Sequence, residues 1–170
     1  MITVSQKVGR LAEIRMVAPV TIEDLASMQR DLSALLHRIQ GRMVVCTDLQ
    51  SATVFSTDQA ERFTKLFRAD NARFERNALV VGDGATFHLQ VERLIREGNA
   101  PPSGPGRAEA SPSREPMPAK SPRGSDPMMS RRASERRVFR SVAEAIAWLD
   151  ELLTAEERSR LRTFLEGQRP

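Results

Sequence analysis

Three consecutive polar residues, Ser56, Thr57 and Asp58, come directly before an amphipathic helical pattern. Ser56 and Gln59 match a capping box, in which two side chains satisfy backbone N–H groups at a helix start. Asp58 complements the positive end of the helix dipole. Backbone amides at the same place would also stabilise a phosphate on Thr57. The pattern favours a structural cap, with phosphorylation or partner contact at Thr57 as the alternative.

Several other residues of types that act in catalysis or ligand binding lack the neighbouring residues that such a site requires. Gly82-Asp83-Gly84 follows an apolar run, where α/β folds often bind anions, but it lacks the glycine spacing of a dinucleotide site and the lysine of a P-loop. We interpret it as a turn. Neither His37 nor His88 has a Cys or carboxylate at ligand or catalytic spacing, and Cys46 lies within a buried strand pattern. We therefore predict no enzyme activity, no cofactor and no metal site.

A second candidate for phosphorylation lies far along the chain. Arg131-Arg132-Ala133-Ser134 matches the substrate preference of basophilic kinases, so Ser134 is a possible phosphosite. Arg131, Arg132, Arg136 and Arg137 form a basic cluster that could contact nucleic acid or acidic lipid. No aromatic residues are interleaved to stack on bases, which argues against nucleic acid as the partner.

Composition limits the class of protein. The 170 residues include one Cys and two His, which excludes a disulfide framework, a Cys-rich zinc site and a His cluster. The net charge is +4. No apolar run approaches the roughly 20 residues that span a bilayer, and the N-terminus lacks the pattern of a signal peptide. We expect a cytoplasmic protein with no membrane span.

The chain divides at a segment of different composition. Residues 99–136 contain eight of the ten prolines and no Ile, Leu, Val or Phe. Such a segment cannot bury enough apolar surface to offset the entropy of ordering it. We predict a disordered insertion at residues 99–136, flanked by residues 1–98 and by residues 137–170, which close the same domain because they are too few for a core of their own.

Strand and helix patterns alternate outside this segment. Residues 2–6 and 11–17 favour two strands, and in the second Ala12, Ile14 and Met16 alternate with Glu13 and Arg15. Short apolar runs at residues 43–46 and 78–81 are typical of strands buried on both faces. Phe63, Phe67 and Phe74 predict an aromatic stripe on the second helix. The resulting order, β-β-α-β-α-β-α-β-α plus a C-terminal helix, predicts an α/β fold with a mixed sheet packed against helices.

This order, together with two stretches of sequence, resembles the STAS or SpoIIAA-like superfamily, the anti-sigma-factor-antagonist fold. The first stretch, Val44 to Asp58, contains a strand ending in Asp-Leu, a short loop and a hydroxyl-rich helix start. The second, Arg137 to Leu149, is similar to the family's closing strand and helix. Phosphorylated members read Asp-Ser-Ser-Gly where this chain reads Ser56-Thr57-Asp58-Gln59, so Thr57 stands at the acceptor position without the leading Asp and the following Gly.

The resemblance implies a non-enzymatic module that binds another protein, a kinase or regulator, in a bacterial signalling pathway under Ser/Thr phosphorylation. The implied partner surface comprises Asp48, Ser51, Ser56, Thr57 and Asp58. The alternative is a small apolar or lipid-like ligand, held in a cavity lined by the phenylalanine stripe. The sequence leaves the oligomeric state open.

Overall fold

A computed structural model of the protein describes residues 1–69, 73–100 and 134–167. Within these ranges the chain forms five strands and five helices. The strands are β1 (Ile2–Gln6), β2 (Leu11–Val17), β3 (Met43–Ser51), β4 (Phe74–Val81) and β5 (Glu135–Phe139). The helices are α1 (Ile22–Arg38), α2 (Thr57–Ala69), α3 (Ala85–Asn99), α4 (Val142–Asp150) and α5 (Ala155–Glu166).

The five strands form one sheet in the order β1-β2-β3-β4-β5. β1 and β2 are an antiparallel hairpin, whereas β2, β3, β4 and β5 are mutually parallel. Each parallel step needs a crossover connection, and a helix follows β2, β3 and β4 in turn. The prediction of an α/β fold with a mixed sheet is therefore confirmed.

Helices cover both faces of the sheet, which explains the continuous apolar runs in β3 and β4. Val45 and Leu79 pack into a core with α1, α2 and α3. Their neighbours Cys46 and Ala78 point to the other face and pack with α4 and α5. Because every side chain of a doubly covered strand is buried, alternation with polar residues disappears.

Side-chain caps are present at the starts of α1, α4 and α5, and a fourth, at α2, is described below. The Thr21 hydroxyl accepts the N–H of Asp24, and the Asp24 carboxylate accepts the N–H of Thr21. Thr154 and Glu157 form the same reciprocal box at α5. At α4, Ser141 accepts the N–H of Glu144. These three polar starts had the residue types and spacing that favour N-caps.

The face of the sheet that α4 and α5 cover buries charged as well as apolar side chains. Glu13 is 1% exposed, and its two carboxylate oxygens accept from Arg160 Nε and Nη2 at 2.6 and 2.7 Å. The Ser5 hydroxyl donates to the same carboxylate at 3.1 Å. Glu157 accepts the backbone N–H of Arg10 at 2.6 Å. Helix α5 is therefore attached to β2 by the Glu13–Arg160 ion pair, and to the residue before β2 by the Glu157 hydrogen bond, in addition to its apolar side chains.

Two predicted boundaries were wrong. Phe74 begins β4 and does not belong to the aromatic stripe of α2, because α2 ends at Ala69. Asn99 is the last residue of α3, and β5 begins at Glu135, so both ends of the predicted insertion lie within the fold. Residues 101–133 lie outside the described residues. No helix among the described residues has the length and apolarity to cross a membrane.

Candidate functional site

The loop between β3 and α2, residues 52–56, is held in place by α3. The Gln90 side chain accepts the backbone N–H of Phe55 and donates to its carbonyl oxygen, each at 2.8 Å. The Phe55 ring is buried, with its centroid 4.7 Å from that of Phe63 and 5.2 Å from that of Phe87. Two hydrogen bonds from Gln90 and the buried Phe55 ring thus fix the loop against α2 and α3.

The residues around this anchor face solvent. Val54 is 52% exposed and Leu89 is 63% exposed, and each adjoins one member of the Phe55–Gln90 pair in sequence. Among the described residues only Met1 is also a large hydrophobic side chain with such exposure. The neighbouring polar side chains Ser51, Ser56, Thr57 and Asp58 are exposed as well. We call these six exposed residues the loop surface: Ser51, Val54, Ser56, Thr57, Asp58 and Leu89.

The predicted cap at the start of α2 is present. Ser56 Oγ accepts the N–H of Gln59 at 3.4 Å, and Gln59 Oε1 accepts the N–H of Ser56 at 2.8 Å. The Gln59 amide also donates to the carbonyl oxygen of Val20 at 2.6 Å. Ser56 and Gln59 therefore have structural roles, while Thr57 and Asp58 present their side chains to solvent in the first turn.

Asp48 does not belong with the other predicted partner-binding residues. It lies on the sheet face covered by α5, is 7% exposed, and accepts from Arg15 Nε at 2.9 Å. The Arg15 guanidinium lies 4.6 Å above the Phe164 ring and donates to the Phe164 carbonyl oxygen. Successive strand residues point to opposite faces, and this alternation directs the Asp48 side chain toward α5. There it forms an ion pair with Arg15.

The remaining candidates occupy positions in the packed structure. His88 Nε2 lies 3.1 Å from a Glu92 carboxylate oxygen, so the expectation that it had no carboxylate partner was wrong. Gly82 is needed for close packing, since a Cβ there would lie 2.9 Å from the carbonyl oxygen of Gln50. Cys46 is buried, and its burial, with the nearby charges of Asp48 and Glu13, raises the pKa of its thiol far above the usual range.

Ser134 and two arginines of the predicted basic cluster belong to the fold. Ser134 is 7% exposed, in contrast to the accessible site that the sequence predicted. Arg136 lies 4.7 Å above the Phe67 ring and donates to Asn99 Oδ1 at 2.9 Å. Arg137 lies 5.1 Å above the Trp148 ring. Arg131 and Arg132 lie outside the described residues.

A small cavity lies between the sheet and helices α1, α2 and α3. Its volume is about 40 Å³, and its lining is apolar except for Thr47 and Asn77. Thr47 Oγ1 donates to Asn77 Oδ1 at 3.3 Å. Sites for small-molecule ligands commonly measure about 300–1,000 Å³. An acyl chain could enter here only if the helices moved apart.

Within residues 1–69, 73–100 and 134–167, no three His, Cys, Asp or Glu side chains converge as metal ligands.

Comparisons of the chain with models of known protein families, with curated proteins and with solved structures found no match.

Proposed function

We propose that this chain is a non-enzymatic protein-binding module, and that its partner binds at the loop surface. The observation that carries the proposal is that two exposed apolar side chains, Val54 and Leu89, each adjoin in sequence one residue of the hydrogen-bonded pair Phe55–Gln90. Interaction sites typically combine exposed large apolar side chains into one patch, and we propose that Val54 and Leu89 contribute to such a patch. In accordance with the resemblance to the SpoIIAA-like superfamily, we place the module in a bacterial signalling pathway.

The anchored loop supports this proposal because a rigid surface loses little entropy on binding. The backbone of Phe55 is already fixed by Gln90, so association need not order the loop. Burying Val54 and Leu89 would contribute about 1–2 kcal/mol each, because roughly half of each residue is already buried. The exposed hydroxyls of Ser51 and Thr57 would add directional hydrogen bonds around the apolar centre.

We further propose that phosphorylation of Thr57 controls this binding. Thr57 is exposed and is the first residue of α2, where the backbone amides and the helix dipole stabilise negative charge. A phosphate there would add roughly two negative charges to the loop surface. It would favour a basic partner and weaken contact with an apolar one.

The test compares charge substitutions on two faces of the molecule. Val54→Asp with Leu89→Asp places carboxylates in the loop surface, whereas Ala147→Asp places one on the exposed side of α4, beyond the opposite face of the sheet. Partners are recovered from the native cells with each tagged chain, and the affinity of the recovered protein is measured with purified components. We expect Ala147→Asp to bind like the unmodified chain and the double variant to bind at least about tenfold more weakly.

Equal affinity of the two variants, with unchanged circular dichroism, would exclude the loop surface. Phosphopeptide mapping of the same material tests the control step. We expect to find phosphate on Thr57 and expect it to change the amount of partner protein recovered. If the amount recovered does not depend on Thr57 phosphate, phosphorylation of Thr57 does not control binding.

A further inference from the structure

The two edges of the sheet differ in composition. β5, at one edge, contains three charged residues: Glu135, Arg136 and Arg137. β1, at the other edge, reads Ile2-Thr3-Val4-Ser5-Gln6, with no charge, proline or glycine. Proteins commonly protect an edge strand with charged residues, proline or a bulge, because its unpaired backbone groups can bind another strand. β5 carries charges of this kind and β1 does not.

The hairpin register identifies the backbone groups on the edge of β1 with which no other strand of the described residues pairs. The N–H of Val17 donates to the carbonyl oxygen of Met1 at 3.0 Å, and the amino group of Met1 donates to the carbonyl oxygen of Val17 at 2.9 Å. Hydrogen-bonded pairs alternate along an antiparallel ladder, so Thr3 pairs in this way with Arg15, and Ser5 with Glu13. The backbone groups of the intervening residues point away from β2: Ile2, Val4 and Gln6.

From this geometry we infer that β1 is a dimer interface, at which it pairs antiparallel with β1 of a second copy of the chain. With the two-fold axis at Val4, Val4 pairs with Val4 of the second copy and Ile2 pairs with Gln6. All three outward-pointing residues of each strand are then used, giving six N–H···O bonds. A register shifted by two residues, centred on Thr3 or Ser5, would use only two of the three.

The side chains of β1 suit a second copy. Ile2 and Val4 pack against the apolar core under α1. A two-fold axis perpendicular to the sheet keeps that face common to both copies, so the two Val4 side chains become neighbours. Thr3 lies opposite Ser5 on the other face, where two hydroxyls can hydrogen-bond. The first charge after the strand, Lys7, comes opposite Met1, outside the three hydrogen-bonded positions.

This pairing joins two five-stranded sheets into one of ten strands and does not use the loop surface. An interface built from one short strand and its flanking helix is small, so we expect dissociation on dilution. Dimerisation and partner binding are therefore independent, and either can fail without the other.

The mass of the full chain is measured by sedimentation velocity from low micromolar to near-millimolar concentration. We expect a shift from monomer to dimer. Val4→Pro removes the outward N–H of Val4 and leaves the β1–β2 ladder intact, because proline is tolerated on an edge strand where its nitrogen faces solvent. Circular dichroism checks the fold, and a folded variant should remain monomeric.

Cysteine cross-linking tests the register independently of that variant. Thr3 and Ser5 of the second copy form a non-hydrogen-bonded pair, whose Cα separation suits a disulfide. A mixture of the Thr3→Cys and Ser5→Cys chains should therefore cross-link several-fold faster than Thr3→Cys alone. The native Cys46 is buried and does not interfere.

Three results would overturn the inference. The chain could remain monomeric at every concentration, or a folded Val4→Pro variant could dimerise like the unmodified chain. Cross-linking at equal rates in the mixture and in the Thr3→Cys control would place any dimer contact elsewhere.

Discussion

Replacing Arg160 by methionine should leave the carboxylate of Glu13 buried without its cation. Two hydrogen bonds, at 2.6 and 2.7 Å, hold that carboxylate to Arg160. Breaking a buried ion pair from one side commonly costs 3–5 kcal/mol. Arg160 is 28% exposed, and Ser5 still donates to the carboxylate, so water and the hydroxyl compensate in part. We expect Arg160→Met to lower the free energy of unfolding by about 2–4 kcal/mol.

The same reasoning predicts that removing both charges is better tolerated than removing one. Glu13→Leu with Arg160→Met replaces the ion pair by apolar contacts, and the double variant should lie within about 1 kcal/mol of the unmodified chain. Arg162→Met is the matched control. Arg162 is in the same helix and pairs with Asp150 at 3.2 Å on the exposed side, so its loss should cost less than about 1 kcal/mol.

Urea unfolding, followed by circular dichroism and extrapolated linearly to water, measures all three variants. The reasoning is refuted if Arg160→Met costs no more than Arg162→Met. It is refuted equally if the double variant is as unstable as Arg160→Met alone, because the penalty then does not come from an unpaired carboxylate.

Three further results are expected. Gly98→Ala should destabilise the fold by about 1–2 kcal/mol in urea unfolding, because its Cβ would lie 2.6 Å from the Phe67 Cβ and this overpacking outweighs the gain in helix propensity; greater stability would contradict it. Cys46 should react with a thiol reagent at mildly alkaline pH only after unfolding, since burial raises its pKa, and rapid reaction of the folded chain would contradict its burial. The backbone N–H of Thr21 and the N-terminal ammonium lower the pKa of Asp24, so its stabilisation is complete above the ordinary carboxyl range and is lost as the pH falls through the folded-state pKa. Asp24→Asn should therefore flatten the acid limb of the stability profile, and an unchanged limb would contradict this.

Local signals predicted the helix starts and the buried strands. Ser56 with Gln59 needed only its own spacing to identify a cap. The apolar runs of β3 and β4 indicated strands covered on both faces because a half-exposed strand would alternate. These features depend on residues a few positions apart, which a sequence displays directly.

Alternation in β2 indicated one polar face, yet Glu13 is buried. Its partner Arg160 lies 147 positions later in the chain, and no local pattern joins them. The same holds for Asp48, whose role depends on α5 covering that face of the sheet. The arginines of α5 beside Leu161 and Phe164 were the available signal that a charged helix could pack over a charged strand.

The loop surface was predicted in part. Ser51, Ser56, Thr57 and Asp58 are exposed as expected, but Val54 and Leu89 were missed. A single exposed apolar residue looks the same in sequence as a core residue. The double hydrogen bond from Gln90 to Phe55 spans 35 positions, and only the folded chain brings Leu89 into this neighbourhood.

The contact between Asn99 and Arg136 has an evolutionary consequence. It joins the last residue of α3 to the second residue of β5, so the two ends of the intervening chain meet at a fixed place on the domain. Because this contact holds both ends, a change in the number of residues between them need not displace α3 or β5. Insertions and deletions at this junction are therefore nearly neutral for the fold, and we expect related chains to vary most in length here while keeping an amide and a guanidinium at its two ends.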